Sequence, residues 1–124
     1  MSKVLIAEDN AVNRELLREL LEARGHTVTE TSNGQEALDE LRQARPDILL
    51  LDINMPIMDG LSAMRKIRED MCLAHLPILA VTANAMLGEK EKLLSSGFDG
   101  YLSKPINGRA LAEEMDRILK QARG

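Results

Sequence analysis

Residues 48–60 read ILLLDINMPIMDG. Four aliphatic residues, Ile48–Leu51, run without alternation into Asp52, and Pro56 and the pair Asp59-Gly60 follow. An alternating strand leaves one face in water. A continuous Ile/Leu run predicts a strand covered on both faces, as in the middle of a parallel sheet flanked by helices. A carboxylate at the end of such a strand must be exposed, paired or used. Asp52 therefore raises the question of fold and the question of chemistry together.

The same pattern recurs along the chain. Val4–Ala7 and Ile78–Val81 are short aliphatic runs, and Thr27–Thr31 and Tyr101–Ser103 are weaker strand candidates. Between them apolar residues return at helical spacing: Val12, Leu16, Leu17, Leu20 and Leu21; Ala37, Leu38 and Leu41; Leu61, Met64 and Ile67; Leu111, Met115, Ile118 and Leu119. Boundary residues agree. Asn10 is a candidate N-cap, Asn33 with Glu36 reads as a capping-box variant, and Arg24-Gly25-His26 is a helix exit with His26 in a surface turn. Pro46 and Pro77 precede the third and fourth strands. The expected fold is α/β: a (βα)5 doubly wound, five-stranded parallel sheet. Thr27–Thr31 alternates and is polar, which places it at an edge.

Composition narrows the function. The 124 residues suit one domain, 1–124, and 16 basic against 20 acidic residues give a net charge of −4. Basic residues are scattered among acids, so neither a nucleic-acid footprint nor an anionic-membrane patch is expected. One Phe and one Tyr leave no base-stacking platform. No apolar run approaches the roughly 20 residues of a membrane span. The lone Cys72 excludes an internal disulfide and fits a reducing cytoplasm.

Ligand sites in doubly wound sheets lie beyond the carboxyl ends of the strands. Here the first strand ends in Glu8-Asp9, the third in Asp52, the fourth in Thr82 and the fifth in Lys104-Pro105. Converging carboxylates repel, and their pKa values rise unless a cation is present. An all-oxygen acidic site with open positions suits Mg²⁺. Asp52 then becomes a candidate nucleophile toward phosphorus, with Lys104 as fixed positive charge and Thr82 as hydroxyl donor.

Taken in order, VLIAEDN, ILLLDINMPIMDG, ILAVTANAM and YLSKPI make the whole chain resemble the receiver domain of two-component response regulators, the CheY-like superfamily. The resemblance implies the flavodoxin-like strand order 2-1-3-4-5. It implies that Asp52 is the phosphoacceptor, charged by a phosphohistidine of a sensor histidine kinase or histidine phosphotransfer protein. It further implies Asp9 as a direct Mg²⁺ ligand, Glu8 as a ligand through water, and the Asn54 backbone carbonyl as a further ligand. Thr82 and Lys104 match the phosphoryl-contacting pair, Tyr101 the aromatic switch, and Lys104–Pro105 a cis peptide. The face around the fourth helix, fifth strand and fifth helix would meet a downstream protein effector. Asn54 and Asn84 occupy positions that tune phosphoryl lifetime in the family, and Met86 is a candidate for the partner face. TANAM and Asn13 resemble phosphorelay and single-domain receivers, and a stand-alone receiver without an output domain is expected.

Two other classes share parts of this pattern. A phosphohydrolase with an aspartyl nucleophile commonly carries a second Asp two residues later, where this chain has Asn54. A flavin-binding domain of the same fold would need a glycine-rich phosphate loop where EDNAVN stands.

Overall fold

The computed structural model describes residues 2–71, 73–83 and 89–123; Cys72, Asn84 and Met86 lie outside the described residues. Strands and helices alternate strictly: β1 (Lys3–Ala7), α1 (Ala11–Glu22), β2 (Thr27–Thr31), α2 (Gly34–Gln43), β3 (Ile48–Asp52), then α3 (Gly60–Glu69), β4 (Ile78–Thr82), α4 (Glu89–Ser96), β5 (Gly100–Ser103) and α5 (Gly108–Arg123). All pairings are parallel, in the order β2-β1-β3-β4-β5, as expected. The polar Thr27–Thr31 strand lies at one edge, with only Thr31 buried.

The continuous apolar runs supply both layers. Leu5, Leu49, Leu51, Ile78 and Ala80 face α2 and α3, where they meet Ala37, Leu41, Met64 and Ile67. Val4, Ile6, Ile48, Leu50 and Leu79 face α1 and α5, meeting Leu17, Leu21, Leu111, Met115 and Ile118. Successive strand residues point to opposite faces, so a residue type acceptable in water at neither position is required at both. Every residue of β3 is buried. The strand that carries Asp52 is therefore held from four sides, by two neighbouring strands and two cores.

Local chemistry sets the helix starts. Asn10, Asn33 and Asp59 each accept the backbone N–H three residues on, from Asn13, Glu36 and Ser62. Glu36 Oε1 reaches back to the N–H and hydroxyl of Ser32, one residue before the cap. These bonds, the backbone one foremost, hold its carboxyl below the usual value. Val12 departs from the predicted stripe: it is 74% exposed. It lies in the first turn of α1, and among the described residues no element covers it. His26 is half-buried rather than a free turn residue, and its Nδ1 accepts the Ser2 N–H at 3.1 Å.

Gly60 marks a close approach. Its N–H donates to Ile53 O at 2.9 Å, and a Cβ there would collide with the Asp52 carbonyl oxygen and sit 2.8 Å from Ile53 Cα. Gly60→Ala is expected to destabilise the protein by about 3 kcal/mol in denaturant titration, because backbone rather than a movable side chain must give way.

The His26 contact carries a pH dependence. Burial is the chief cause that lowers its pKa, with Arg24 acting the same way and Asp116 of α5 opposing. A histidine whose folded pKa is lowered binds its proton more readily in the unfolded chain. Its contribution to stability is complete above the unfolded value of about 6.5 and is lost as pH falls below it. His26→Asn, which keeps an acceptor for Ser2 N–H, should flatten the fall in Tm between about pH 7 and 5.

Candidate functional site

Extending the β1–β3 register from Ala7↔Leu51 by one residue sets Glu8 opposite Asp52. Both side chains are buried, at 1% and 2% exposure. One carboxylate oxygen each from Glu8, Asp9 and Asp52 lie within 4.8 Å of one another, and Asp9 is exposed. Far-apart sequence positions converge because parallel strands end on one side.

Lys104 reaches the buried pair from the end of β5. Its Nζ lies 2.8 Å from Glu8 Oε1 and 3.2 Å from Asp52 Oδ2. The second contact is a hydrogen bond. The first lies outside hydrogen-bond geometry, so Glu8 Oε1 is a buried oxygen with a neighbouring charge but no directed donor. The Lys104 N–H donates to Thr82 O at 2.8 Å, which anchors the lysine to β4. The Lys104–Pro105 bond is cis. Thr82 is fully buried at the end of β4, one residue past Val81, the register partner of Asp52.

Backbone groups complete the cluster. Asn54 is exposed, and its N–H donates to Asp52 Oδ1 at 3.1 Å. The Asn10 N–H donates to Glu8 Oε2 at 3.1 Å, and Arg14 Nη1 donates to Glu8 O at 2.8 Å. Sequence reasoning missed both of these supports for Glu8. The Glu8–Asn10 spacing is a turn signal that could have revealed the first; the second exists only once α1 packs on the sheet. Tyr101 is half-buried against the core shared by α2 and α3.

The electrostatics follow from this crowding. Burial, then the hydrogen bonding and charge of Glu8, push the Asp52 carboxyl up to about 7, against the opposing pull of the Asn54 N–H and Lys104. Burial lowers the Lys104 pKa, but Glu8 and then Asp52 outweigh it and leave the ammonium raised. A dense set of hard oxygen donors, one of them buried without a donor, fits a divalent cation of the Mg²⁺ class.

A family model described as response regulator receiver domain matches residues 4–116. The chain belongs to this family. It is similar to the polar-differentiation response regulator DivK of Brucella anthropi, at 42% identity over 119 residues, covering 96% of this chain and 97% of that protein. Among solved structures it is similar to the chemotaxis protein CheY4 of Vibrio cholerae. That match has a TM-score of 0.87 and 30% identity, and covers 95% of this chain and 98% of that one. The receiver domain of the sensor histidine kinase PA1611 from Pseudomonas aeruginosa matches with a TM-score of 0.85 and 35% identity, over 96% of this chain and 98% of that one. That structure holds a magnesium ion in its active-site cleft. As a receiver domain, the chain is a phosphorelay signalling module. Among the described residues no helix is long and apolar enough to cross a membrane.

The receiver's metal-free state should show the cost of its buried pair. Asp52 is charged more easily in the unfolded chain, so stability falls as pH rises from the unfolded value of about 4 toward 7. In the presence of a chelator, Asp52→Asn should raise Tm, with a larger gain at pH 8 than at pH 5. A variant less stable than the parent at pH 8 would contradict this account.

Proposed function

We propose that this receiver is a magnesium-dependent phosphoacceptor switch, with Asp52 accepting a phosphoryl group from a phosphohistidine. The single observation that carries the reading is the convergence of the buried Asp52 and Glu8 with Asp9 and Lys104 at one rim of the sheet. The phosphodonor would be a sensor histidine kinase or a histidine phosphotransfer protein, the donor class of the family. A protein that receives phosphate on its own side chain turns over no separate substrate, so it acts as a switch and not as a conventional enzyme.

The residues divide the work. An ionised Asp52 oxygen attacks phosphorus; a P–O bond forms as the P–N bond to the donor imidazole breaks, and that nitrogen keeps the electron pair. Asp9, Asp52 and the Asn54 carbonyl would hold Mg²⁺, with Glu8 acting through water. A bound ion would supply positive charge against the phosphoryl oxygens and would favour the ionised form of Asp52. Lys104 adds a fixed charge beside the accepting oxygen. Thr82 would donate its hydroxyl to a phosphoryl oxygen, and Tyr101 would follow as the aromatic switch that reports the change to α4, β5 and α5. A downstream protein effector would read that face. The cytoplasm is the proposed site of action, the compartment that a single cysteine fits.

Incubation with acetyl phosphate and Mg²⁺ should label the parent protein. Chelation and Asp52→Asn should each abolish the label, and Asp9→Asn should reduce it at least about tenfold at limiting Mg²⁺. Equal labelling of Asp52→Asn and the parent would show that another residue accepts the group.

A further inference from the structure

β5 is an edge strand, and its free side is closed by α5. In the β4–β5 register Gly100 pairs with Leu79 and Leu102 with Val81. Lys104 N–H donates to Thr82 O, so the even-numbered residues turn their backbone groups inward, toward β4. The Asp99 carbonyl and the Tyr101 N–H therefore point outward. One residue of a sixth parallel strand, opposite Gly100, would donate to the first and accept from the second.

Two side chains of α5 occupy that place. Glu114 Oε2 accepts the Tyr101 N–H at 3.1 Å, and Arg117 Nη2 donates to Asp99 O at 3.0 Å. Arg117 Nε closes the unit by donating to Glu114 Oε1 at 2.7 Å. Asp99 is itself fixed: its Oδ2 accepts from Ile78 N–H at 2.8 Å and from Arg68 Nη2 at 3.1 Å. Arg68 also donates to the carbonyls of Leu73, Leu76 and Gly97. The chain of charge-assisted bonds thus runs from α3 through the start of β5 to α5. Gly100 permits it. A Cβ there would lie 2.5 Å from Ile118 Cδ1 and 2.9 Å from Glu114 Oε2.

We infer that Glu114 and Arg117 are positioning residues that stand in for one residue of a sixth strand. They lock α5 to β5, so that this pair is the fixed half of the output face. That this half stays fixed when the site is charged rests on Asp52 as phosphoacceptor; the lock itself does not.

Residue-resolved amide exchange on the full chain tests both parts. Glu114→Ala should speed exchange at Tyr101 at least about tenfold, the scale of losing a bond to a charged acceptor, while Leu50 in β3 changes less than about twofold. Glu114→Gln, which keeps an acceptor oxygen, should restore most of the protection, and Arg117→Ala should give an intermediate value. Equal exchange at Tyr101 in the parent and all three variants would overturn the lock, as would equal acceleration at Leu50 and Tyr101. Mg²⁺ with beryllofluoride is the phosphoryl probe, and a shift of the Asn54 amide reports its binding. With that shift present, Tyr101 should stay protected, and loss of its protection would overturn the fixed half. Without the shift, the phosphoacceptor reading fails and the variants alone decide the lock.

Discussion

Two carboxylates face each other at one register position on neighbouring strands, at the buried end of a parallel sheet, and the Lys104 ammonium contacts both. Neither strand can move to relieve the repulsion, because each is paired on both sides and packed on both faces. In water the two acids would separate or hydrate; here desolvation, and then Glu8, push the Asp52 carboxyl up to about 7. The site is thus held in a state that gains from added positive charge. Rigid burial supplies the precision a phosphoryl-transfer site needs, and the same burial makes the site electrostatically incomplete on its own.

The rest of the architecture serves that placement. Leu49–Leu51 anchor β3 in both cores, and Gly60 lets the chain fold back against the carbonyl of Asp52. Thr82 O holds the Lys104 backbone, so the compensating charge hangs from β4 and β5 rather than from a loose loop. At the far edge, the Glu114–Arg117 unit completes the hydrogen bonding of β5. Burial would push the Glu114 carboxyl up, but Arg117 and the Tyr101 N–H outweigh it and hold the carboxyl below its ordinary value. Mutual support therefore runs from the reaction centre to the edge of the sheet.

Much of this was legible before any coordinates. Unbroken runs such as Ile48–Leu51 signal two-faced burial, and their common direction gathers Glu8, Asp9, Asp52, Thr82 and Lys104 on one side. The caps at Asn10 and Asn33 were readable because a cap is a local bond. Val12 was misplaced since helical spacing records which face is apolar, not where the helix overhangs the sheet. His26 looked like an ordinary turn residue because its partner, the Ser2 N–H, comes near only through β1–β2 pairing. Nothing local in the sequence marks Glu114 and Arg117, because their partners, the Tyr101 N–H and the Asp99 carbonyl, come near only when α5 packs on β5.

The sequence by itself determined the (βα)5 pattern, the sheet order through its family motifs, and the residue types at the reaction rim. Those properties are written in periodicity and in short-range chemistry, which one chain segment carries alone. Only the tertiary structure decided that Glu8 and Asp52 share one register position and that Lys104 contacts both. It also decided that α5 side chains fill the place of a missing strand. Each depends on the angle and distance at which separate elements meet, and packing sets these rather than any local preference.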